Sequence, residues 1–484
     1  MSYCVFIPGI QGSELYQGEE NRRWPVIRRR PMEQLYLHKE NETMQTKKMM
    51  TFLGHDVYNK IDAFLEESFT KKNYLHYSYD WRFELDRHFK DLHFLLKDKS
   101  EIIFIAHSMG GLLTKLFIHW CSESGNNLDV SQIITLGTPW QGAPESLYWL
   151  KYGDTFPRWW IKKIPAIVGL NTADVMMNIS NSFPSVYQLL PHDDYIQNIE
   201  PLIYDSNLNG VQNVYSSLLD HTQYKMYEEF SQSIQDHLKS PWPNNLAKKH
   251  HAIIGHKQST FAGIISEQNS SGGVVSKKGI KWTSGDKTVP VNSGTPLFQS
   301  QNYYIRQGHL ELAQSVEVFE LITTIIKGGN TTSVANRHFE EVPSHDFSGK
   351  IYRVACPVSV SVESNQGYLT GEVDYLDDIK KADEITLDLN KMNMFRIEDS
   401  FFVFIDDEHN NSMINRKEDL NFEITAYEKG LATVEVQSYY EGDVVQSKIF
   451  EGLEITPETK ALLCVPDKGA IDNITLVKKQ DGKQ

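Results

Sequence analysis

The stretch Glu101-Ile102-Ile103-Phe104-Ile105-Ala106-His107-Ser108-Met109-Gly110-Gly111-Leu112-Leu113-Thr114-Lys115-Leu116-Phe117 reads as a buried strand, a tight turn and the opening of a helix. Its first residues form a continuous apolar run, and the helix pattern extends from about Gly110 to Ser122. Small residues at 106 and 110 let strand and helix pack closely around the turn. The turn then projects the Ser108 hydroxyl from the carboxyl end of the strand, which is the geometry of a nucleophile elbow. A G-x-S-x-G-like pentapeptide recurs by chance, and here Ala106 stands in its first position. The strand–turn–helix context is what gives this copy its meaning.

A serine hydroxyl is a poor nucleophile until a base takes its proton, and the base needs an acid to orient it. On this architecture the three follow in the order Ser, Asp or Glu, His. Gly285-Asp286-Lys287-Thr288-Val289-Pro290 offers Asp286 in a Gly-rich loop expected to follow the strand at 252–255, and Gly308-His309-Leu310-Glu311 offers His309 after a strand and before a helix. His107 adjoins the nucleophile and is expected to point elsewhere, while His251 and His256 flank a strand and read as structural. Asp174, Asp193 and Asp194 are the alternative acids, inside the segment expected to form a cap. The oxyanion that forms on attack needs two N–H donors, one supplied by the residue after the nucleophile, Met109. The second is expected from the loop after the first strand, Pro8-Gly9-Ile10-Gln11-Gly12, whose glycines permit an unusual path; Ile10 is the donor chosen.

Short apolar runs alternate with helical patterns over the first two-thirds of the chain, as in a parallel sheet covered by helices. Strand candidates are Tyr3 to Ile7, Tyr74 to Tyr79, Glu101 to Ala106, Gln132 to Gly137, Ala252 to Gly255 and Tyr303 to Arg306. Helices are marked by Val57, Ile61, Phe64 and Leu65, by Leu85, Phe89, Leu92 and Leu96, and by Leu312, Val316, Phe319 and Ile326. Residues 17–52 read as polar and irregular. About a hundred residues after Gly142 break the rhythm, and a loop of that length implies an inserted cap, placed at about 142–250. Gly328-Gly329-Asn330-Thr331-Thr332-Ser333 reads as a linker. Beyond it, Val358 to Val362, Phe422 to Tyr427 and Thr433 to Gln437 alternate with period two, the pattern of an all-β, sandwich-like domain. The expected organisation is therefore an α/β-hydrolase domain over 1–335 and a β-rich accessory domain over 345–484.

The 484 residues carry 48 Lys and Arg against 63 Asp and Glu, a formal charge of −15. That excess argues against nucleic acid as a partner, because binding it requires a basic footprint. Four scattered cysteines, Cys4, Cys121, Cys356 and Cys464, make no metal or disulfide pattern. The first residues have no charged n-region, and the most apolar long window, Ile102 to Cys121, is broken by His107, Lys115 and His119. A cytoplasmic chain without a secretory signal or membrane span is expected. No cofactor or metal spacing stands out.

Taken in order, several blocks resemble the lecithin:cholesterol acyltransferase and lysosomal phospholipase family. They are Pro8-Gly9-Ile10-Gln11-Gly12-Ser13-Glu14-Leu15, Tyr79-Asp80-Trp81-Arg82, the Ser108 elbow, Leu136-Gly137-Thr138-Pro139-Trp140-Gln141-Gly142, Gly285-Asp286-Lys287-Thr288-Val289 and His309-Leu310. The resemblance implies a triad of Ser108, Asp286 and His309, with Ile10 as second oxyanion donor. It also implies a lipid ester substrate and a lid, for which residues 17–52 are the candidate. The sequence departs from the family in its missing secretory features and in its β-rich C-terminal domain.

Tyr79-Asp80-Trp81-Arg82 reads as a structural corner with an internal ion pair. Arg22, Arg23, Arg28, Arg29 and Arg30 have the chemistry to meet phosphate headgroups, and equally that of a solvated loop. Trp159-Trp160-Ile161-Lys162-Lys163-Ile164 suits either a membrane interface or the core of the cap. Asp406-Asp407-Glu408 reads as a solvated acidic turn rather than a calcium site. Residues 345–484 hold 15 basic and 27 acidic groups, so −12 of the −15 belongs to them and −3 to the rest. An anionic lipid surface is therefore not excluded as partner for the catalytic part. The expected activity is that of a serine esterase on lipid acyl esters, a phospholipase A-like lipase. An acyltransferase with the same triad is the alternative, and a non-catalytic binding or scaffold protein the other. A protein partner or self-association is the expectation for the C-terminal domain.

Overall fold

The computed structural model describes residues 2–25, 33–37, 43–52, 55–153, 172–205, 214–243, 246–268, 274–355, 358–364, 367–370, 392–397, 400–406, 420–426, 428–457, 459–465 and 471–480. Those within Met1–Val26, Arg30–Lys151 and Asn178–His345 form one compact unit, and those within Tyr152–Met177 and Asp346–Gln484 form another.

The first unit is built on six parallel strands: β1 (Tyr3–Ile7), β2 (Tyr74–His76), β3 (Ile102–His107), β4 (Val130–Leu136), β5 (His250–Gly255) and β6 (Gln301–Ile305), in the spatial order β6-β5-β4-β3-β1-β2. The middle strands are rich in apolar residues because helices cover both faces; Val5, Phe6, Ile7, Phe104, Ile105 and Ala106 are all fully buried. From β1 the chain steps outward to β2, then returns across β1 to β3 and continues the other way. The reversal lies between β1 and β3, paired with Val5 opposite Phe104 and Ile7 opposite Ala106. In open α/β sheets a ligand crevice opens outside the strand ends at such a point. The loop after β1 and the turn after β3 both emerge there.

Four helices accompany the sheet: α1 (Asn59–Phe69), α2 (Phe89–Leu96), α3 (Met109–Glu123) and α4 (Val316–Ile326). The last is N-capped by Ser315, whose hydroxyl accepts the Val318 N–H. The break after Gly142 holds short helices, among them Pro144–Tyr152, Asp193–Asn198, His221–Met226 and Gln232–Lys239. This α/β-hydrolase architecture agrees with the pattern read from the sequence, with three corrections.

Residues 17–52 are not wholly irregular: Ser13–Gln17, Asn21–Trp24 and Gln45–Lys48 form a three-stranded antiparallel sheet. Its strands are polar because much of their surface faces water, so no hydrophobic alternation reveals them. It is pinned by Leu15 and Trp24, both fully buried, and by the Trp24 indole N–H donated to the Gln11 carbonyl at 3.0 Å. The segment between β5 and β6 also forms a long hairpin, Gln258–Gln268 with Val274–Gly285, and Ile203–Asp205 joins it as a third strand. Asp286 thus follows the hairpin and not β5. Finally, the expected linker at 328–333 runs into the helix Thr332–His338, after which Glu340 pairs with Tyr304 through two backbone hydrogen bonds of 3.1 and 2.7 Å.

The second unit contains two five-stranded sheets. One joins Gly349–Ala355, Met392–Ile397, Ser400–Asp406, Gly430–Tyr440 and Asp443–Ile455; the other joins Val358–Ser364, Gly367–Thr370, Leu420–Ala426, Thr459–Val465 and Thr475–Gln480. All pairings are antiparallel. Alternate residues such as Val360, Val362, Val434, Val436, Phe422 and Ile424 share one core, as the period-two pattern requires. No helix among the described residues is long and apolar enough to cross a membrane.

Candidate active site

Ser108 sits between β3 and α3 with φ +55° and ψ −129°, a conformation that L residues avoid. The strain is held by close packing on both sides. A Cβ on Gly110 would lie 2.3 Å from the Ile7 carbonyl oxygen, and one on Gly111 would lie 2.0 Å from the Thr138 hydroxyl. Only glycines let the first turn of α3 press against the end of β1 and the loop after β4.

His309 follows β6 and brings its Nε2 to 2.9 Å from the Ser108 Oγ. Its Nδ1 lies 2.7 Å from Asp286 Oδ2. The other carboxylate oxygen, Oδ1, accepts the N–H groups of Thr288 at 3.0 Å and Val289 at 2.6 Å. The His309 N–H donates in turn to the Asp286 carbonyl at 2.7 Å, so the two loops clasp each other. Gly137 and Gly255 make room: a Cβ at 137 would lie 3.0 Å from Asp286 Oδ2, and one at 255 would lie 2.4 Å from the Asp286 Cβ. Ser108, His309 and Asp286 are all buried, as a charge-handling site shielded from water requires.

The loop after β1 runs directly beside Ser108; a Cβ on Gly9 would lie 2.7 Å from the Ser108 Cβ and 3.2 Å from its Oγ. Within this loop the Gly9 N–H donates to the Tyr58 hydroxyl and the Gly12 N–H to the Gly9 carbonyl. Neither Ile10 nor Met109 spends its N–H on a described protein partner. The corner Tyr79-Asp80-Trp81-Arg82 supports the loop from below. Tyr79 donates its hydroxyl to the Pro8 carbonyl at 3.0 Å, and Trp81 donates its indole N–H to the Ser13 carbonyl at 3.1 Å. Arg82 and Asp80 form the internal pair that the sequence suggests, through Nε–Oδ1 at 2.9 Å and Nη2–Oδ2 at 2.7 Å. The buried guanidinium also donates to the Leu35 carbonyl at 3.0 Å.

Other candidates are engaged elsewhere. Asp193 accepts the Tyr227 hydroxyl at 2.8 Å, and Asp194 pairs with Lys239. The side chain of Asp174 lies outside the described residues. Burial lowers the pKa of both His251 and His256 to about 4; the first ring stacks on Tyr303, and the second accepts the Ser344 N–H at 3.1 Å. Arg22 lies 3.6 Å from Glu14, and Arg23 donates to Gln17. Arg28, Arg29 and Arg30, the Trp159 to Ile164 segment, and Asp407 and Glu408 lie outside the described residues. Among those residues no group of three or more His, Cys, Asp and Glu side chains is placed to hold a metal ion.

What sequence reasoning missed is Tyr58, which touches both the Gly9 N–H and the His107 ring. Its signal is faint: it stands immediately before a helix, 49 positions from either partner.

Six parallel strands, a strained serine at the turn after β3 and a His–Asp pair from the later loops define an α/β-hydrolase. The model of the lecithin:cholesterol acyltransferase family matches residues 47–271, a span that takes in Ser108 and ends before Asp286. Over that span the chain is similar to the lecithin:cholesterol acyltransferase family, the same resemblance that the ordered blocks of its sequence carry. No curated protein matches it. Among solved structures, a chain of the Tle4-Tli4 complex is similar at 12% identity and TM-score 0.46, over 69% of this chain and 99% of that one. The Bacillus licheniformis lipase BlEst2 in propeptide form aligns at 10% identity and TM-score 0.37, over 99% and 96%. Phospholipase PlaB from Legionella pneumophila aligns at 9% and 0.26, over 92% and 91%.

Proposed function

We propose that this chain is a serine hydrolase that cleaves acyl esters of lipids, phospholipids foremost, through an acyl-enzyme on Ser108. The observation that carries the reading is the unbroken hydrogen-bonded series Asp286–His309–Ser108 at the crevice between β1 and β3. His309 Nε2 takes the hydroxyl proton as Ser108 Oγ attacks the ester carbonyl, and Asp286 holds the Nδ1–H tautomer and stabilises the imidazolium. The N–H groups of Ile10 and Met109 receive the oxyanion, each worth about 10²–10³ in rate. His309 then gives its proton to the departing alcohol, and water, activated by the same nitrogen, releases the fatty acid. The lipid substrate is drawn from the family match, whose name describes acyl transfer from a phospholipid.

Transfer to an alcohol would use the same acyl-enzyme, so a long-chain alcohol added to the assay reports the partition as a new ester. We assign residues 345–484 to an accessory role, with a protein partner or self-association as its ligand. The test is lipid profiling of vesicles incubated with wild type and Ser108→Ala. Wild type should release fatty acid and lysophospholipid, and the variant neither. Equal release by both would remove Ser108 from the chemistry.

A further inference from the structure

Four groups between the crevice and the core remain without a part in that mechanism: the Gly9 N–H, the Tyr58 hydroxyl, the His107 ring and the His309 carbonyl. They form one series. The Gly9 N–H lies 3.1 Å from the Tyr58 oxygen, which lies 2.7 Å from His107 Nδ1. His107 Nε2 lies 2.9 Å from the His309 carbonyl oxygen. We propose that Tyr58 and His107 are positioning residues that tie the loop of the second oxyanion donor to the loop of the base, so that donor and base keep one spacing about Ser108. This rests on the triad reading of the previous subsection.

The proton positions follow from valence. A carbonyl oxygen only accepts, so His107 Nε2 carries a hydrogen. A neutral imidazole then has a bare Nδ1, which accepts the Tyr58 O–H and leaves the phenol oxygen free to accept the Gly9 N–H. A cationic His107 would set a second N–H against that phenol and break the order. Burial in the core, with the His309 ring 4.7 Å away, holds the His107 pKa well below the usual histidine range and keeps the ring neutral. Burial likewise raises the Tyr58 pKa and keeps its proton in place. All four groups are thus satisfied by one direction of donation, from the oxyanion loop to the base.

The series also has a consequence for the hole itself. With the Gly9 N–H committed to Tyr58, the first N–H of this loop left for a ligand is that of Ile10. Tyr58 therefore selects the donor as well as placing it.

The test is a double-mutant cycle on a soluble ester, with rates expressed per active site titrated by a fluorophosphonate. Tyr58→Phe and His107→Leu should each lower kcat by about 10- to 100-fold, the usual cost of a small misplacement in an active site, with KM within threefold. The double variant should be no more than about threefold worse than His107→Leu, because one series can be cut only once. His107→Gln, whose amide N–H can still reach the His309 carbonyl, should recover most of the loss. Multiplying losses, or Tyr58→Phe with a per-site kcat within twofold of wild type, would overturn the proposal. A packing role predicts that second pattern, with a lower melting temperature only. Tyr58→Phe is isosteric and decides the question alone should His107→Leu fail to fold. Ser108→Ala run beside them keeps the two readings apart: an active Ser108→Ala overturns the triad, whereas an inactive one beside a normal Tyr58→Phe overturns only the series.

Discussion

Replacing Asp286 by asparagine changes one atom and should cost almost all activity, for a reason written in its hydrogen bonds. Oδ1 accepts two backbone N–H groups, from Thr288 and Val289, while Oδ2 faces His309 Nδ1. In Asp286→Asn only the amide oxygen can serve the two N–H groups, so the amide nitrogen must take the place of Oδ2. It then directs an N–H at His309 Nδ1, which has to present its lone pair. The ring proton moves to Nε2, the atom that faces Ser108 Oγ at 2.9 Å and must be bare to act as base. The opposite amide rotamer would leave two buried donors unmatched, at about 1–3 kcal/mol each, so it gives no escape. A base locked in the wrong tautomer lowers kcat by about 10⁴, or about 5.4 kcal/mol of transition-state stabilisation at 1.36 kcal/mol per decade. The assay is hydrolysis of a soluble chromogenic ester by folded, concentration-matched protein, with thermal melting as the control for structure. An Asp286→Asn variant retaining more than a tenth of wild-type kcat would refute the tautomer argument.

Two further outcomes follow, one from the same site and one from the buried face of α3. Gly9→Ala brings a methyl to 2.7 Å from the Ser108 Cβ, so the loop or the nucleophile must shift; kcat should fall by about 10², and unchanged kcat would show that this approach is not needed. Lys115, on the buried side of α3, donates to the Ser240 carbonyl at 2.7 Å and lies 3.1 Å from the Phe298 ring centre; burial lowers its pKa to about 6. The unfolded chain, with the ordinary lysine value near 10.5, binds this proton over a range where the folded chain does not. Folded stability should therefore decrease as pH falls from about 10.5 to about 6 and level off below that. Lys115→Met should lack that slope, so its stability relative to wild type should rise by about 1.4 kcal/mol for each unit from pH 9 to pH 7; parallel urea-unfolding profiles would contradict it.

The parts legible in the sequence are those where local pattern and burial coincide. β3, its turn and α3 could be read because the strand is buried on both faces and the turn demands small residues at 106 and 110. That Asp286 and His309 would come together with Ser108 could be read because the expected chain order limits the search to later loops. The hairpin that delivers Asp286 was hidden, since Val274–Gly285 includes Lys277, Lys278 and Lys281 and looks like a solvated loop. The small sheet around residues 13–48 was hidden for the same reason: its edges are polar, and only Leu15 and Trp24 enter the core. Tyr58 was invisible in a stricter sense. Nothing beside it in sequence tells that its hydroxyl will meet groups 49 positions away on both sides.

The order of the strands also sets a clock. Ser108 and His309 lie 201 residues apart, and the base comes after β6, the last strand to join the sheet. At a synthesis rate of about 5–20 residues per second, His309, the proposed base, is added roughly 10–40 s after Ser108. Through that interval the nascent chain holds a complete elbow and an inert alcohol. If the proposed triad is the active centre, a growing polypeptide has no acyl-transferring centre until β5 and β6 are made and Asp286 has met His309. On the proposed triad, truncation anywhere between the two residues should leave a fragment without activity, so damage of that kind would end in loss of function.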